Sequence, residues 1–371
     1  MPPICVHDSE GELLRGECPD GEIVKGIRRL AQELEISIGT VSRALNGKPD
    51  VNEKTRQRVL EAAAAMGYVA NQAGRSLRQG STNAIGFMME SGSDTAGNSD
   101  NFFLGVFDGV QAVFSRHHLD LVVLPCSTEE DPTQYLQRMV ARGMVDGLII
   151  SATHRRDERI ELLSSARLPF IALGRSGTSG PHPWIDIDFE GVANRAVDRL
   201  VAKGHRRIAV GVPSNDINLG FIFLDGYKAA LERHGIPFDP ALVIRAKSTD
   251  QGGYQIAHEL LALPDRPTAV VLIYELMAVG LYRRFNEAGL RPGRDIAVIG
   301  FRESPQSRFL SPTLTCFRMS LRDLGIALGE SLLASMPAYA EVYPQGLVRR
   351  IWPLELVAGE SDDFTVGSGS S

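Results

Sequence analysis

A chain of 371 residues exceeds one small core and predicts two or three domains. Its 43% hydrophobic and 23% charged content is that of a globular protein, and no run of about 18 apolar residues is present to span a membrane. Four scattered cysteines (Cys5, Cys18, Cys126, Cys316) lack the C-x-x-C or paired-His spacing of a metal site, so reduced thiols and no metal or cofactor are expected.

The net charge of −6 is unevenly spread. Residues 22–81 hold ten Lys and Arg against six Asp and Glu, whereas residues 1–21 hold one Arg against five acids. A basic segment on an acidic body points to a polyanion for one part of the chain and another partner for the rest.

Residues 1–21 show no periodicity and no apolar segment of the secretory kind, and read as a flexible extension. From Ile27, Leu30, Ala31 and Leu34 the spacing predicts an amphipathic helix. Glu35-Ile36 allow a tight turn, and Ser37 caps a second helix carrying Val41 and Leu45 on one face. Its other face shows Gly39, Thr40, Ser42, Arg43 and Asn46, donors with few acids, which suits the major groove of DNA; an ordinary surface helix has the same pattern. After the break at Gly47 and Pro49, Asn52 caps a third helix with Val59, Ala62, Ala63 and Met66 inward, ended by Gly67. Two short helices joined by a turn of about three residues match a helix-turn-helix. Asn71 can cap a further short helix, one that forms only when docked, with Arg75 and Arg78 available to phosphate.

Beyond residue 81, strand-like runs alternate with helical patterns. Strands are predicted at 84–89, 119–124, 145–150 and 169–173, and after a Gly/Pro-rich link at 174–183 they recur at 208–212, 242–245, 269–273 and 296–301. Helices are predicted between them, at 102–118, 132–142, 190–202, 224–234, 252–262 and 276–288. Such alternation predicts an α/β fold of parallel sheets covered by helices, here in two lobes, with a ligand cleft at the strand ends between them. His205 beside Arg206 and Arg207 reads as a turn tethering helix to strand, and no catalytic constellation is indicated, so the chain is expected not to be an enzyme.

Several groups of residues carry a family resemblance. They are Ser37, Thr40, Val41, Ser42, Arg43, Leu45 and Asn46; Val51, Thr55 and Arg56; Gly67 and Tyr68; and Asn71, Ala73, Arg75, Ser76 and Leu77. Together they resemble the lactose/galactose/purine repressor family of bacterial transcription regulators. Val145-Asp146-Gly147, Gly204-His205-Arg206, Val298-Ile299-Gly300-Phe301 and Leu310-Ser311-Pro312 extend the likeness to about residue 358.

The resemblance implies a helix-turn-helix headpiece at 22–69, a hinge helix at 70–80 and a two-lobed, periplasmic-binding-protein-like body at 81–358. The N-lobe would comprise about 82–178 and 314–336 and the C-lobe about 179–313 and 337–358, with a disordered tail at 359–371. It implies a cytoplasmic homodimer on a pseudo-palindromic operator, most simply a repressor controlled by a small molecule, with a carbohydrate first. A solute-binding protein of a sugar transport system is the alternative for the body. By resemblance, Ile38, Gly39 and Arg43 stand where the family reads bases. Ser37, Thr40, Ser42 and Asn46 stand at phosphate-contacting or cap positions. Asn71, Arg75 and Leu77 belong to the hinge, where a leucine wedges into the minor groove. Ala70 replaces a usual proline there and Gly74 a usual alanine.

The effector anchors depart from the pattern. Phe223 stands in the slot of a usual arginine, Tyr274-Glu275 in that of Asn-Asp, Arg302-Glu303 in that of Asp-Asp, and Ser248 in that of an aromatic. Phe102, Phe103, Phe221, Phe223 and Tyr274 are therefore expected to line the cleft, with Arg175, Asn218, Glu275 and Arg302 bonding hydroxyls.

Overall fold

The computed structural model describes residues 26–45, 47–68, 81–91, 93–127 and 129–363. The expected extension at 1–21, the hinge helix and its residues Asn71, Arg75 and Leu77, and Asn46 lie outside the described residues. The chain divides into two units at Gly80.

Among the described residues, the first unit contains three helices, α1 (Ile27–Glu33), α2 (Ile38–Leu45) and α3 (Glu53–Ala65). Leu30, Val41, Ala44, Val51 and Val59 close a small core between them. Local chemistry sets each boundary. Ser37 Oγ accepts from Thr40 N at 3.0 Å and Asn52 Oδ1 from Lys54 N at 2.9 Å, satisfying amides at the starts of α2 and α3. Helix α1 ends with Glu35 at φ 54°, Glu35 N on Gln32 O and Ile36 N on Ala31 O. That left-handed step turns the chain into α2 and satisfies the last carbonyls. Gly67, at φ 58°, ends α3 the same way.

Among the described residues, the second unit holds two six-stranded sheets. In chain order they are built from β1 (Ala84–Ser91), β2 (Asp120–Ser127), β3 (Gly147–Ile150), β4 (Phe170–Leu173), β5 (Trp184–Ile187), β6 (Ile208–Pro213), β7 (Val243–Ala246), β8 (Ala269–Leu272), β9 (Ala297–Arg302), β10 (Thr315–Arg318), β11 (Arg349–Trp352) and β12 (Glu355–Val357). The first sheet runs β11-β5-β4-β3-β1-β2 and the second β12-β10-β9-β8-β6-β7. All pairs are parallel except β10 with β12. The helices are α4 (Ser93–Phe114), α5 (Pro132–Ala141), α6 (Glu158–Ala166), α7 (Phe189–Ala202), α8 (Asn218–Arg233), α9 (Asp250–Ala262), α10 (Glu275–Glu287) and α11 (Leu321–Ala334).

The two-residue period of the strands divides their side chains between two helical layers. Ile85, Phe87, Ile149 and Ile171 enter the core with α4, whereas Met88, Leu148, Ile150 and Phe170 enter the one with α5 and α6. Helices α4 and α11 touch backbone to backbone: a Cβ on Gly325 would stand 2.1 Å from Val106 O.

The chain crosses between lobes three times, and the crossings correct the expected bounds. Trp184–Ile187 pairs with β4, so the Gly/Pro-rich stretch at 174–183 is a loop within the first lobe and the crossing lies at Asp188. Thr315–Arg318 pairs with β9 in the second lobe, and Arg349–Trp352 returns to the first beside β5. The expected tail is not free over 359–363. Ser361 Oγ donates to Val298 O at 2.6 Å, and buried Asp362 accepts from Thr315 Oγ1 at 2.6 Å and Lys203 Nζ at 3.1 Å. Residues 364–371 lie outside the described residues.

Where residues 81–83 enter β1, Asp146 holds them. Its Oδ1 accepts from Thr82 N (2.7 Å) and Thr82 Oγ1 (2.9 Å), its Oδ2 from Ser81 Oγ (2.6 Å) and Asn83 N (2.7 Å). Burial pushes this carboxyl up, but the four donors outweigh it and hold it below the ordinary aspartate range.

Candidate functional site

In the first unit, α2 presents its outer face as its spacing predicts. Val41 and Ala44 are buried, whereas Ile38 is 42% exposed and nothing but Ser37 Oγ would come within 4 Å of a Cβ on Gly39. Ser37 Oγ and Thr40 Oγ1 lie 2.9 Å apart, so both take part in the cap. Ser42 is partly exposed on the same helix. Arg43 is half exposed, its Nε 3.4 Å from Asp50 Oδ2. An exposed pair of this kind contributes at most about 1 kcal/mol, so the guanidinium can leave it for a stronger acceptor.

In the second unit a cavity of about 150 Å³ opens between the sheets. Its walls come from the carboxyl ends of strands: Ser151 and Thr153 after β3, Arg175 after β4, Asp186 within β5, Asn215 after β6, Ser248 after β7, Tyr274 after β8, and Phe301 and Arg302 closing β9. Parallel strands end on the same side, which is why one cleft collects all of them.

Of the residues expected here, Phe102, Phe103, Arg175, Tyr274, Glu275 and Arg302 line the cavity. Asn218, Phe221 and Phe223 do not. They share α8, and the turn of that helix separates them. Leu219 faces the cavity, whereas Phe223, one turn on, is fully buried in the core, edge-on to Phe301 at 6.2 Å. Phe221 points away, between the guanidinium groups of Arg155 (4.9 Å) and Arg245 (5.8 Å). Asn218 lies behind the wall: its amide nitrogen donates to Arg175 O at 2.7 Å and its backbone N–H to Thr153 O at 2.8 Å, tying the lobes together.

Sequence reasoning missed Asp186, Phe189, Phe301 and Thr153. The rule that ligands meet the carboxyl ends of strands would have found Phe301, at the end of a recognised strand. Asp186 and Phe189 were hidden because β5 was not recognised.

Two ion pairs face the cavity. Arg175 Nε donates to Asp186 Oδ2 at 2.7 Å, and Arg302 Nη2 to Glu275 Oε1 at 2.5 Å. Burial raises the Asp186 carboxyl to about 6 despite Arg175. Burial likewise raises Glu275, opposed by Arg302. The Arg302 guanidinium lies 5.6 Å from the Phe102 ring centre, across from the other lobe. Burial raises the Tyr274 hydroxyl, and a bond with Ser248 opposes that shift. Phe189 and Phe301 stack at 4.8 Å.

The loop carrying Ser151 and Thr153 is held from behind by Arg159, which is fully buried. Its Nη2 donates to Ser151 O and Ala152 O, both at 3.0 Å, and to Asp157 Oδ2 at 2.7 Å. His205 is buried too, its Nδ1 2.8 Å from Thr268 Oγ1, a tether between the starts of β6 and β8. Among the described residues no cluster of His, Cys, Asp and Glu could hold a metal ion, and no helix is long and apolar enough to cross a membrane.

Residues 27–71 match the family described as bacterial regulatory proteins, lacI family, and residues 197–361 match the periplasmic binding protein-like domain. The chain is 33% identical over 341 residues to the HTH-type transcriptional regulator AglR of Rhizobium meliloti (strain 1021), covering 90% of this chain and 93% of that one. It is 32% identical over 303 residues to the HTH-type transcriptional regulator RafR of Escherichia coli, covering 80% and 88%. Among solved structures, the transcriptional regulator CelR–cellobiose complex superposes with a TM-score of 0.67 at 26% identity, over 91% of this chain and 99% of that one. A lac repressor dimer bound to operator and the anti-inducer ONPF shares the fold, with a TM-score of 0.77 at 24% identity over 91% and 98%.

Proposed function

The chain belongs to the lacI family of bacterial regulatory proteins, DNA-binding regulators of transcription, and on that premise we propose that it is a sugar-controlled repressor. It acts in the cytoplasm as a homodimer, one headpiece on each half of a pseudo-palindromic operator. It has no catalytic role. Arg43 reads a base through its fork, Ile38 meets a thymine methyl, and Gly39 lets the helix approach closely. Ser37, Thr40, Ser42 and Asn46 position the helix on phosphates, and Asn71, Arg75 and Leu77 complete the grip from the hinge.

The observation that carries the effector half is the cavity at the strand ends, where the aromatic residues Phe102, Phe103, Phe189 and Phe301 line the wall beside hydrogen-bonding Arg–carboxylate pairs. Flat apolar faces suit the C–H faces of a sugar ring, and the pairs suit its hydroxyls. The CelR relative, 26% identical, is a cellobiose complex, which supports a carbohydrate here. The effector acts by its differential affinity for two lobe arrangements, one of which grips the operator.

Nuclease footprinting on the DNA upstream of its own gene tests the reading. A protected inverted repeat at moderate salt, lost on adding a sugar, is expected. Absence of any sequence-specific protection refutes the operator reading, and protection that no sugar alters refutes the carbohydrate.

A further inference from the structure

The cavity balances its own charge. Among the described residues, four charged side chains line it, and they form two contacts of opposite charge, one in each lobe: Arg175 with Asp186 and Arg302 with Glu275. The side chains of Arg302 and Glu275 are 9% and 7% exposed and that of Asp186 2%, whereas Arg175 is 27% exposed, so one pair is shielded from bulk water on both sides and the other on its carboxylate side. Each guanidinium is engaged further. Arg302 Nη1 donates to Glu303 O at 3.2 Å and its guanidinium carbon lies over the Phe102 ring at 5.6 Å, while Arg175 Nη2 stands 3.8 Å from Glu190 Oε2. The other wall groups are apolar rings and aliphatic chains with neutral hydroxyls and an amide.

We propose that the effector of this cavity is an uncharged saccharide, and that the two ion pairs exclude sugar phosphates and uronates. The proposal rests on the carbohydrate reading above and narrows it. A ligand anion reaching Arg302 must also approach Glu275, and one reaching Arg175 must approach Asp186 and Glu190, so each attraction is met by a like-charge contact. It must also give up its water with no uncompensated cation to replace it. A neutral hydroxyl avoids both costs. Each carboxylate keeps lone pairs and each guanidinium keeps N–H groups beyond the pair itself, and a hydroxyl both donates and accepts. Either pair can therefore hold a hydroxyl between its two members, while the sugar's C–H face lies on the rings.

The test is calorimetric titration of the full-length protein with matched sets. Glucose, galactose, cellobiose and melibiose serve as neutral members; glucuronate, galacturonate and the hexose 6-phosphates serve as the anions. At least one neutral sugar should bind about 100-fold more tightly than any uronate or 6-phosphate. An anionic sugar that binds as tightly as the best neutral one overturns the proposal and leaves the carbohydrate reading standing. No binding by any member, neutral or charged, overturns the carbohydrate reading and this proposal with it. Glu275→Gln, which leaves the Arg302 charge uncompensated, should narrow the gap between neutral sugar and uronate at least tenfold. An unchanged gap in a folded variant counts against the pair as the excluding device. Should that variant fold poorly, Asp186→Asn asks the same of the other pair, and the wild-type comparison decides the ligand class regardless.

Discussion

Asp146→Asn removes one oxygen from the carboxylate that anchors the entry of the chain into the second unit. Four donors converge on that group within 2.6–2.9 Å, and two of them are backbone amides. The side-chain amide offers one acceptor oxygen where the carboxylate offered two, so two donors face an NH₂ group. Hydrogen bonds to a charged group contribute about 1.5–3 kcal/mol each, and this site is only partly buried, so the loss should be roughly 2–4 kcal/mol. For a unit of this size that corresponds to a melting temperature lowered by roughly 4–10 °C. The pH dependence has a definite sign. Asp146 is held below its ordinary range, so its contribution is complete above the unfolded-state pKa of about 3.9 and is lost as pH falls through the lower folded value. Urea unfolding of wild type and variant at pH 7 and at about pH 3 measures both effects. The gap should be full at pH 7 and smaller at the acid end. A gap below about 0.5 kcal/mol at pH 7, or one that acid leaves untouched, refutes this account.

Three further outcomes are expected. Gly280→Ala should destabilise the second lobe by about 1–3 kcal/mol in thermal unfolding, although alanine favours helices, because its Cβ would lie 1.7 Å from Asp250 O on α9; a more stable variant would contradict that close contact. Arg159→Leu should cost about 3–5 kcal/mol, since it strands the buried Asp157 carboxylate and releases the loop carrying Ser151 and Thr153; stability near wild type in chemical denaturation would count against it. Arg43→Ala should weaken operator binding by roughly 1–3 kcal/mol and relax base preference in competitive gel retardation; unchanged discrimination would remove Arg43 from base reading.

The headpiece was legible because its determinants are local. Ser37, Asn52 and Gly67 act on residues within a few positions, and the spacing of Leu30, Val41 and Val59 selects the buried faces without reference to the rest of the chain. The alternation of strand and helix was legible for the same reason, since periods of two and 3.6 residues are written in short windows. The Asp186 strand was not, because Trp184–Ile187 is only four residues long and follows a loop of glycines and prolines that reads as a linker. Phe301, at the end of a strand, can be placed at the cleft from its position alone. That Leu219 meets the cavity while Phe223, one turn further along the same face of α8, is buried under Phe301 depends on how the helix lies along the sheet, a property of packing.

By itself, then, the sequence determined the helix-turn-helix, its caps and the two-lobed parallel architecture, since each follows from side-chain periodicity and backbone preference along neighbouring residues. The tertiary structure alone decided which sheet each late strand joins, that Ser361 and Asp362 are buried, and that Arg175 meets Asp186 while Arg302 meets Glu275. The placing of the late strands and the burial of the tail depend on three chain crossings between lobes, whereas each ion pair forms within one lobe, where neighbouring parallel strands set residues 11 and 27 positions apart side by side. The charge balance of the cavity emerges from that assembly, because a guanidinium and a carboxylate neutralise each other only where the fold sets them in contact.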